Sequence, residues 1–562
     1  MRLRILLLTF LLVCTGCASI PTEGPIEEVP IPEDPAGIEI APQPPRGDDE
    51  PAQIIEGFLL AMSEGDATYR TARAYLTAEA AQQWAPERPT QVFQGSVIEA
   101  DDHYLLQGVL LGEIDDADRF QPIGEPLRHD FGLVKEQGQW RISNPSDGVL
   151  LSRYLFARNY RQVTIYFSAL DNEVGVPDLL IIPETEVSPG RIVEAVLRGP
   201  SERMANVVRN TIPSGVQLGA GGASVDEDGV ATVDLTGIAP SMPPEQRRRL
   251  GAQLLWSLTS VPRVTALKVT VDGIQFALPG QSADGVLELA TQQGYSVLSR
   301  TLSQDLFAVQ DHTPGTLNDH GRFVPLGGEL PPSAEVAISI DGTHTALIGA
   351  DRQTVSVGLS DDALTPIQPG FTKIHGGQWA LGYFYALGDD AQGMTRMFRV
   401  SAQHEVEVME VRLPASMALR GFSMHQTGAV AAVVGERNGS THLGLMVASS
   451  PGVLDRWQEL PPTGPSGQSI TRIDDVQWNS ESTLVLTGDI DESWGVVVVS
   501  ADGAFVEEIG SFREPIQSVA ALPRQGGGLI ALRGSGGAVW RYTAPNRWAH
   551  VDVKVTDLAF AG

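Results

Sequence analysis

Between residues 285 and 562 a polar turn followed by an apolar strand recurs, and this repeat restricts the possible architectures more than any other feature. The copies are "SQDLFAVQ" around Ala308, "DGTHTALIG" around Ala346, "QTGAVAAVVG" around Ala432, "SESTLVLTG" around Val485 and "QGGGLIALRG" around Ala531. Their spacings are 38, 86, 53 and 46 residues, and the 86-residue interval fits two units of 43 with a degenerate copy near Trp379 to Ala386. A second strand follows most copies, at Val355 to Leu359, Met397 to Val400, Leu443 to Val447, Gly495 to Val499 and Ala538 to Tyr542. Each unit is therefore a small antiparallel meander, too small to bury its own apolar faces. Such sheets in tandem bury them against one another, as the blades of a β-propeller. The spacing suits six blades, and seven are also compatible. Leu558-Ala-Phe560 echoes Val476-Gln-Trp478 and Phe422-Ser-Met424. The C-terminal stretch is thus expected to complete the sheet of the first blade and so remove an open edge. The alternative is an open sandwich with irregular loops.

The other end of the chain addresses it. Arg2 and Arg4 precede an apolar run from Ile5 to Val13 broken only by Thr9, and Thr15-Gly16-Cys17 follows. That run has the form of a secretory signal and is too short for a permanent membrane span. Small residues directly before a cysteine resemble a bacterial lipobox, although Cys14 stands where such boxes usually carry Leu. The resemblance implies cleavage between Gly16 and Cys17, with Cys17 becoming an N-palmitoyl, S-diacylglycerol cysteine. An ordinary signal peptide with an incidental cysteine is the alternative, and cysteine usage argues against it. The chain has two cysteines, Cys14 and Cys17. Cleavage before Cys17 leaves a mature chain without a disulfide or a free thiol, which suits an exported protein whose one cysteine is acylated.

Residues 18–50 contain eight prolines and nine acids against the single Arg46. Such a segment cannot bury enough apolar surface to offset its ordering entropy; proline and like charges extend it. It reads as a tether, with a protease-sensitive propeptide as the alternative. Net charge over the whole chain is -30. A surface this acidic repels nucleic acid and anionic envelope polymers at long range and favours solubility. No later segment has eighteen uninterrupted apolar residues, so nothing else in the chain reads as a membrane helix.

Residues 51–150 read as a small α+β domain. Pro51 opens a helix with apolar residues at 54, 55, 58, 59 and 62, one face of a 3.6-residue period. Gly65-Asp66 ends it, and a second helix is expected from Ala67 to Trp84. Strands are expected at 92–99, 103–114, 128–135 and 139–143. Helices followed by a curved antiparallel sheet resemble a nuclear-transport-factor-like cone. Cones of this kind can be enzymes, and His103, His129 and Asp130 invite a catalytic reading. No third partner can be placed, so surface or core roles are preferred.

Residues 151–282 form a second α+β unit. Val163 to Phe167 and Leu179 to Ile182 are strands, and Pro189-Gly190 leads into a helix with Ile192, Val193, Val196 and Leu197 on one side. Ala223 to Asp226 and Val230 to Leu235 form a hairpin around Asp226-Glu-Asp-Gly229, where Gly suits a positive φ. A helix follows Ser241-Met-Pro-Pro-Glu245, and a last hairpin turns at Asp272-Gly273. The acids Asp226, Glu227 and Asp228 lack the spaced ligands of an EF-hand loop, and a turn is the preferred reading. Gly219-Ala-Gly-Gly222 lacks the spacing of a phosphate-binding loop and is expected to be a flexible loop. Arg247-Arg-Arg249 is expected on a solvated helix face. In order, "VTIYFSA", "AVLRGPSE", "TIPSGVQL", "DGVATVDLTG" and "VTVDG" are similar to the GerMN domain of sporulation and envelope proteins. That family implies a binding or assembly module.

No nucleophile elbow occurs, and His404-Glu405 lacks the second histidine of a zinc motif. No catalytic, metal or cofactor-binding residue is assigned. Trp379, Trp478, Trp494, Trp540 and Trp548 are placed in blade cores in preference to a sugar-stacking role. The full order is signal peptide 1–16, lipidated acidic tether 17–50, α+β domain 51–150, GerMN-like domain 151–282 and propeller 283–562. It resembles the actinobacterial LpqB lipoprotein family, as does "CASIPTEGP" at the mature start. The resemblance implies a lipid-anchored protein on the extracytoplasmic face of the cell membrane. There it would bind and modulate an MtrB-like sensor histidine kinase of an MtrAB-type two-component system, in envelope homeostasis and division. A glycan-binding or glycan-processing envelope protein, with its ligand in the propeller channel, and a passive assembly scaffold are the alternatives.

Overall fold

Trp84 and Phe58 show how the first module closes. Pro51–Ala61 is a helix with Ile54, Ile55 and Phe58 fully buried. Phe58 meets Trp84 and Phe131 edge to face. The structure, a computed structural model, describes residues 42–562 apart from 65–67, 101–102, 171–172, 297, 299–302, 319–320, 465–466, 469, 491–492 and 525–526. Gly16, Cys17, the tether up to residue 41 and the expected break at Gly65-Asp66 lie outside the described residues. Among the described residues no helix is long and apolar enough to cross a membrane.

Behind the first helix, Thr90–Ala100, His103–Ile114 and Phe120–Asp130 form an antiparallel sheet, and Leu150–Ser152 joins Thr90–Ala100 in parallel. Register shifts at Val92/Phe93 and Leu110/Gly112 mark bulges, which bend strands and curl a sheet. Two expectations are corrected. The long second helix is two short ones, Arg70–Arg73 and Ala78–Gln83. Between them the Thr77 amide donates to the Ile142 carbonyl, and the Ile142 amide to that of Tyr75; strand pairing here displaces the helical ladder. The third strand begins at Phe120 and stops at Asp130, before Gly132 turns the chain at φ 58° into a separate hairpin, Leu133–Glu136 with Gln139–Ile142.

In the second module Tyr160–Ala169 pairs with Gly175–Pro183, and the helix Pro189–Arg198 starts at a Ser188 side-chain cap. Gln217–Val225 and Val230–Thr236 form the expected hairpin, and the helix Pro244–Leu258 buries Leu250, Leu254, Leu255 and Leu258 completely. The last hairpin turns with Asp272 at φ 51° and Gly273 at 75°, the pair of positive angles a type I′ turn requires.

Among the described residues six four-stranded sheets make up the propeller, one of them extended by a fifth strand, Glu410–Val411. The repeat found in the sequence is the second strand from the axis of every blade. Its marker residues Ala308, Ala346, Ala386, Ala432, Val485 and Ala531 are all at most 1% exposed. The innermost strand of blade 1 is Asp557–Ala559, paired with Leu306–Gln310 through Phe307↔Ala559, Ala308↔Leu558 and Val309↔Asp557. The ring is therefore closed by the chain end, as the echo at Leu558 predicts.

Gln43–Gly562 forms one compact unit. Its apolar clusters ignore module boundaries. Val163 and Leu254 of the second module share a cluster with Val434, Leu445 and Trp478 of the propeller. Ile181 of the second module and Ala504 of the propeller belong to the core of the first.

Candidate functional site

Two places gather polar side chains: the propeller axis and the junction of the three modules. At the axis, the innermost strands line a channel of about 270 Å³ with Glu335, Gln378, Asp475, Gln477, Arg533 and Asp557. Most of these groups bind the next blade. Asp557 accepts from the Val336 amide at 2.9 Å, and Glu335 from the Gly376 amide at 2.8 Å. Gln378 accepts from the Met424 amide and donates to its carbonyl, both at 2.9 Å. Ser423 accepts from the Trp478 amide at 3.2 Å, and Asp475 from the Val519 amide at 2.9 Å. Thus five of the six blade junctions carry a side-chain clamp near the axis, and the sixth packs Leu522 and Ala531 against Leu558 and Phe560. Burial pushes the carboxyls of Asp475 and Asp557 up to about 7, against the pull of the amides they accept from. Trp379 and Trp478 donate indole N–H to the carbonyls of Ala337 and Ser423 in the preceding blades, so both serve blade packing as expected.

At the junction, the Asp115–Phe120 turn of the first module inserts Arg119 between the other elements. Arg119 donates to Asp178 at 2.8 Å, with the two side chains 11% and 6% exposed, and to the Gly199 carbonyl at 3.0 Å. Arg456, held at φ 57° in a bulged propeller strand, donates to the Glu202 carbonyl at 3.0 Å. Arg153 donates to the Gly464 carbonyl at 2.7 Å and to the Thr463 hydroxyl. Phe156 stacks on Phe505 with centroids 5.0 Å apart. Tyr166 donates its hydroxyl to Glu481, and burial raises both groups above their ordinary ranges.

These contacts surround a cleft of about 550 Å³ lined by residues of all three modules, among them Arg119, Ser201, Arg203, Trp457 and Asp502. Four side-chain atoms in this lining are buried and make no hydrogen bond: Ser201 Oγ, Arg203 Nη1, Trp457 Nε1 and Asp502 Oδ2. Burial lowers Arg203 from its ordinary value and raises Asp502. None of these four residues is marked by a sequence motif of its own. The nearest signal is the turn Ser500-Ala-Asp-Gly503, which repeats Ser339-Ile-Asp-Gly342.

The residues singled out by sequence are scattered. His103 and Asp130 approach to 3.5 Å across strands at the surface, and His129 bonds the Asn144 carbonyl. Asp226 closes its turn by accepting from the amides of Asp228 and Val230. Gly219 to Gly222 is a bulged strand, contrary to the flexible loop expected. Gly221 donates to Asp234, and a Cβ on Gly219 would come within 2.3 Å of that carboxylate. Arg248 and Arg249 pair with Glu173 and Glu245, while Arg247 lies over Phe276 with its guanidinium 4.4 Å from the ring centroid. His404 occupies a turn at φ 67°. Among the described residues no group of three or more His, Cys, Asp or Glu side chains is arranged to hold a metal ion.

Comparison with known proteins matches residues 44–157 to the model "Lipoprotein LpqB, N-terminal domain" and residues 164–276 to "Sporulation and spore germination". Lipoprotein LpqB of Cutibacterium acnes is 26% identical over 96% of this chain and 95% of its own length. That of Streptomyces coelicolor is 28% identical over 61% of each chain. That of Thermobifida fusca is 29% identical over 61% of this chain and 58% of its own.

Proposed function

Since this chain belongs to the LpqB lipoprotein family, and is thus a membrane-anchored extracytoplasmic protein of the cell envelope, we propose that it binds and modulates the extracytoplasmic domain of a membrane sensor histidine kinase of the MtrB type. The reading supposes that Cys17 carries the lipid and that residues 17–50 act as the tether. It is a binding role, in which location contributes to the mechanism. Two partners held at one membrane meet at a high effective concentration, so a modest intrinsic affinity suffices.

The observation that best supports a binding role is the fusion of the three modules into one body by buried contacts such as Arg119–Asp178 and Phe156–Phe505. A rigid body presents one fixed composite surface and avoids the ordering cost that loosely linked domains bear on association. A ligand-binding role for the axial channel has less support, because its polar groups are committed to neighbouring blades.

A pull-down of the purified kinase sensor domain by the mature chain tests the proposal. Saturable binding in the micromolar range is expected; no binding with both partners folded refutes it. In cells, Cys17→Ala is expected to leave the fold intact and weaken regulation. A soluble, unlipidated form that restores signalling at native abundance removes the tether from the mechanism.

A further inference from the structure

We propose that the cleft between the three modules is a binding site for a short neutral saccharide, about a disaccharide in size. Its volume of about 550 Å³ lies within the roughly 300–1,000 Å³ typical of small-molecule sites. Domain junctions are a preferred location for such sites.

The lining specifies the chemistry. Buried polar atoms in folded proteins are normally hydrogen-bonded. Four around this one cleft are not: Ser201 Oγ, Arg203 Nη1, Trp457 Nε1 and Asp502 Oδ2. Two are donors, one is a carboxylate acceptor and one is a hydroxyl that can act either way. An occupant that satisfies them must therefore both accept and donate, as the hydroxyls of a sugar do. Charge excludes simpler ions. Arg119, Arg203 and Arg456 face Asp115, Asp178, Glu202 and Asp502 around the lining, and Arg119 is already spent on Asp178. A phosphate would meet Asp502 and Asp115, and a cation would meet Arg203. Burial raises the Asp502 carboxyl and lowers the Arg203 guanidinium, outweighing their mutual attraction, yet the two form no ion pair, so hydroxyl groups bridging them would satisfy both. Trp457 adds an aromatic surface of the kind that packs against sugar C–H faces. It is seated over Gly444, where a Cβ would come within 2.5 Å of the indole. The site is separate from the kinase reading, and its success or failure leaves that reading unaffected.

Titration calorimetry on the mature chain, in a detergent without a sugar headgroup, tests the site with di-N-acetylchitobiose and with maltose as probes. One saturable site for at least one of the two is expected. Trp457→Phe removes the indole donor and keeps an aromatic ring. Asp502→Asn places an amide donor where the cleft-facing acceptor stood, while Oδ1 can keep its bonds to Ser500 and Ala504. Each is expected to weaken binding about tenfold. Asp341→Asn, in the same turn sequence far from the cleft, is expected to leave it unchanged. No heat with either probe overturns the proposal. So does binding that survives both cleft variants, or that falls equally in the Asp341 variant.

Discussion

Asp341 and Asp502 occupy the same local sequence and titrate in opposite directions. Each sits in a Ser-x-Asp-Gly turn, with Oδ1 accepting from the serine hydroxyl two residues before it and from an amide two residues after it. At Asp341 burial pulls upward, but the bonds from Ser339 and Thr343 outweigh it and the carboxyl ends below its ordinary value. At Asp502 burial at the module junction wins and the carboxyl ends above it. The same competition governs the axis. Asp475 and Asp557 hold their protons up to about 7 in the folded ring, against an ordinary value of 3.8. The folded state therefore binds the extra protons. The resulting stabilisation is complete below the ordinary value and is lost as pH rises through about 7. Asp341, Asp351 and Asp390 are depressed and lose their contribution only in acid, below the ordinary carboxylate range. Between about pH 5 and pH 8 the raised pair lowers stability as pH rises, whereas His425, which burial holds down to about 4, and His375, which burial also lowers, gain stability over the same interval as their unfolded forms lose protons. The share of the unfolding free energy that Asp475 and Asp557 control, read as the difference between urea titrations of the parent and an Asp475→Asn, Asp557→Asn double variant, is expected to fall by about 2 kcal/mol over that interval. Asp475→Asn should remove a large part of the slope. A pH slope that is the same in the parent and in the Asp475→Asn variant contradicts this account.

At the scale of elements, the ring depends on a strand of three residues. Asp557–Ala559 supplies the innermost strand of blade 1, Asp557 clamps Val336, and Leu558 and Phe560 are buried in the apolar seam with blade 6. Removing residues 556–562 exposes two large apolar side chains' worth of seam and opens an edge on Leu306–Gln310. Burial of one such side chain stabilises by about 1.5–3 kcal/mol, so the loss is about 5 kcal/mol before the ladder bonds are counted. For a cooperative body of this size that corresponds to a fall of roughly 5 °C in melting temperature. Thermal melts of the truncated and full chains decide it, and an unchanged melting temperature means that the ring is held without this strand.

For the whole molecule, buried aromatic and charged side chains join the modules around the cleft. Phe156 is fully buried among Phe120, Tyr160 and Phe505, and Arg153 caps the same joint through Gly464. Calorimetry is expected to show one cooperative transition for the folded body. Phe156→Ala combined with Arg153→Ala should split it in two, because loss of a buried Phe alone costs about 3–5 kcal/mol. Two transitions in the parent chain would mean that the modules unfold independently.

Much of this was legible in the sequence, for local reasons. Apolar periodicity, turn residues and the tandem repeat depend on neighbours in the chain, and they identified the helix at Pro51, the paired hairpins of the second module, the six recurring strands and the closing echo at Leu558. The misreadings were also local readings. A stretch with helical periodicity gives way to the strand at Ile142, and a glycine run with loop composition is a strand pressed against Asp234. The cleft at the junction had no comparable signal. Ser201, Arg203, Trp457 and Asp502 are far apart in sequence and ordinary in their local settings. Only the packing of three modules removes water from them together and leaves their polar atoms facing one space. Local pattern along the chain is enough to specify which elements form and in what order. Which charges are desolvated depends on the assembly of the three modules, because burial is a property of the whole body and not of any segment within it.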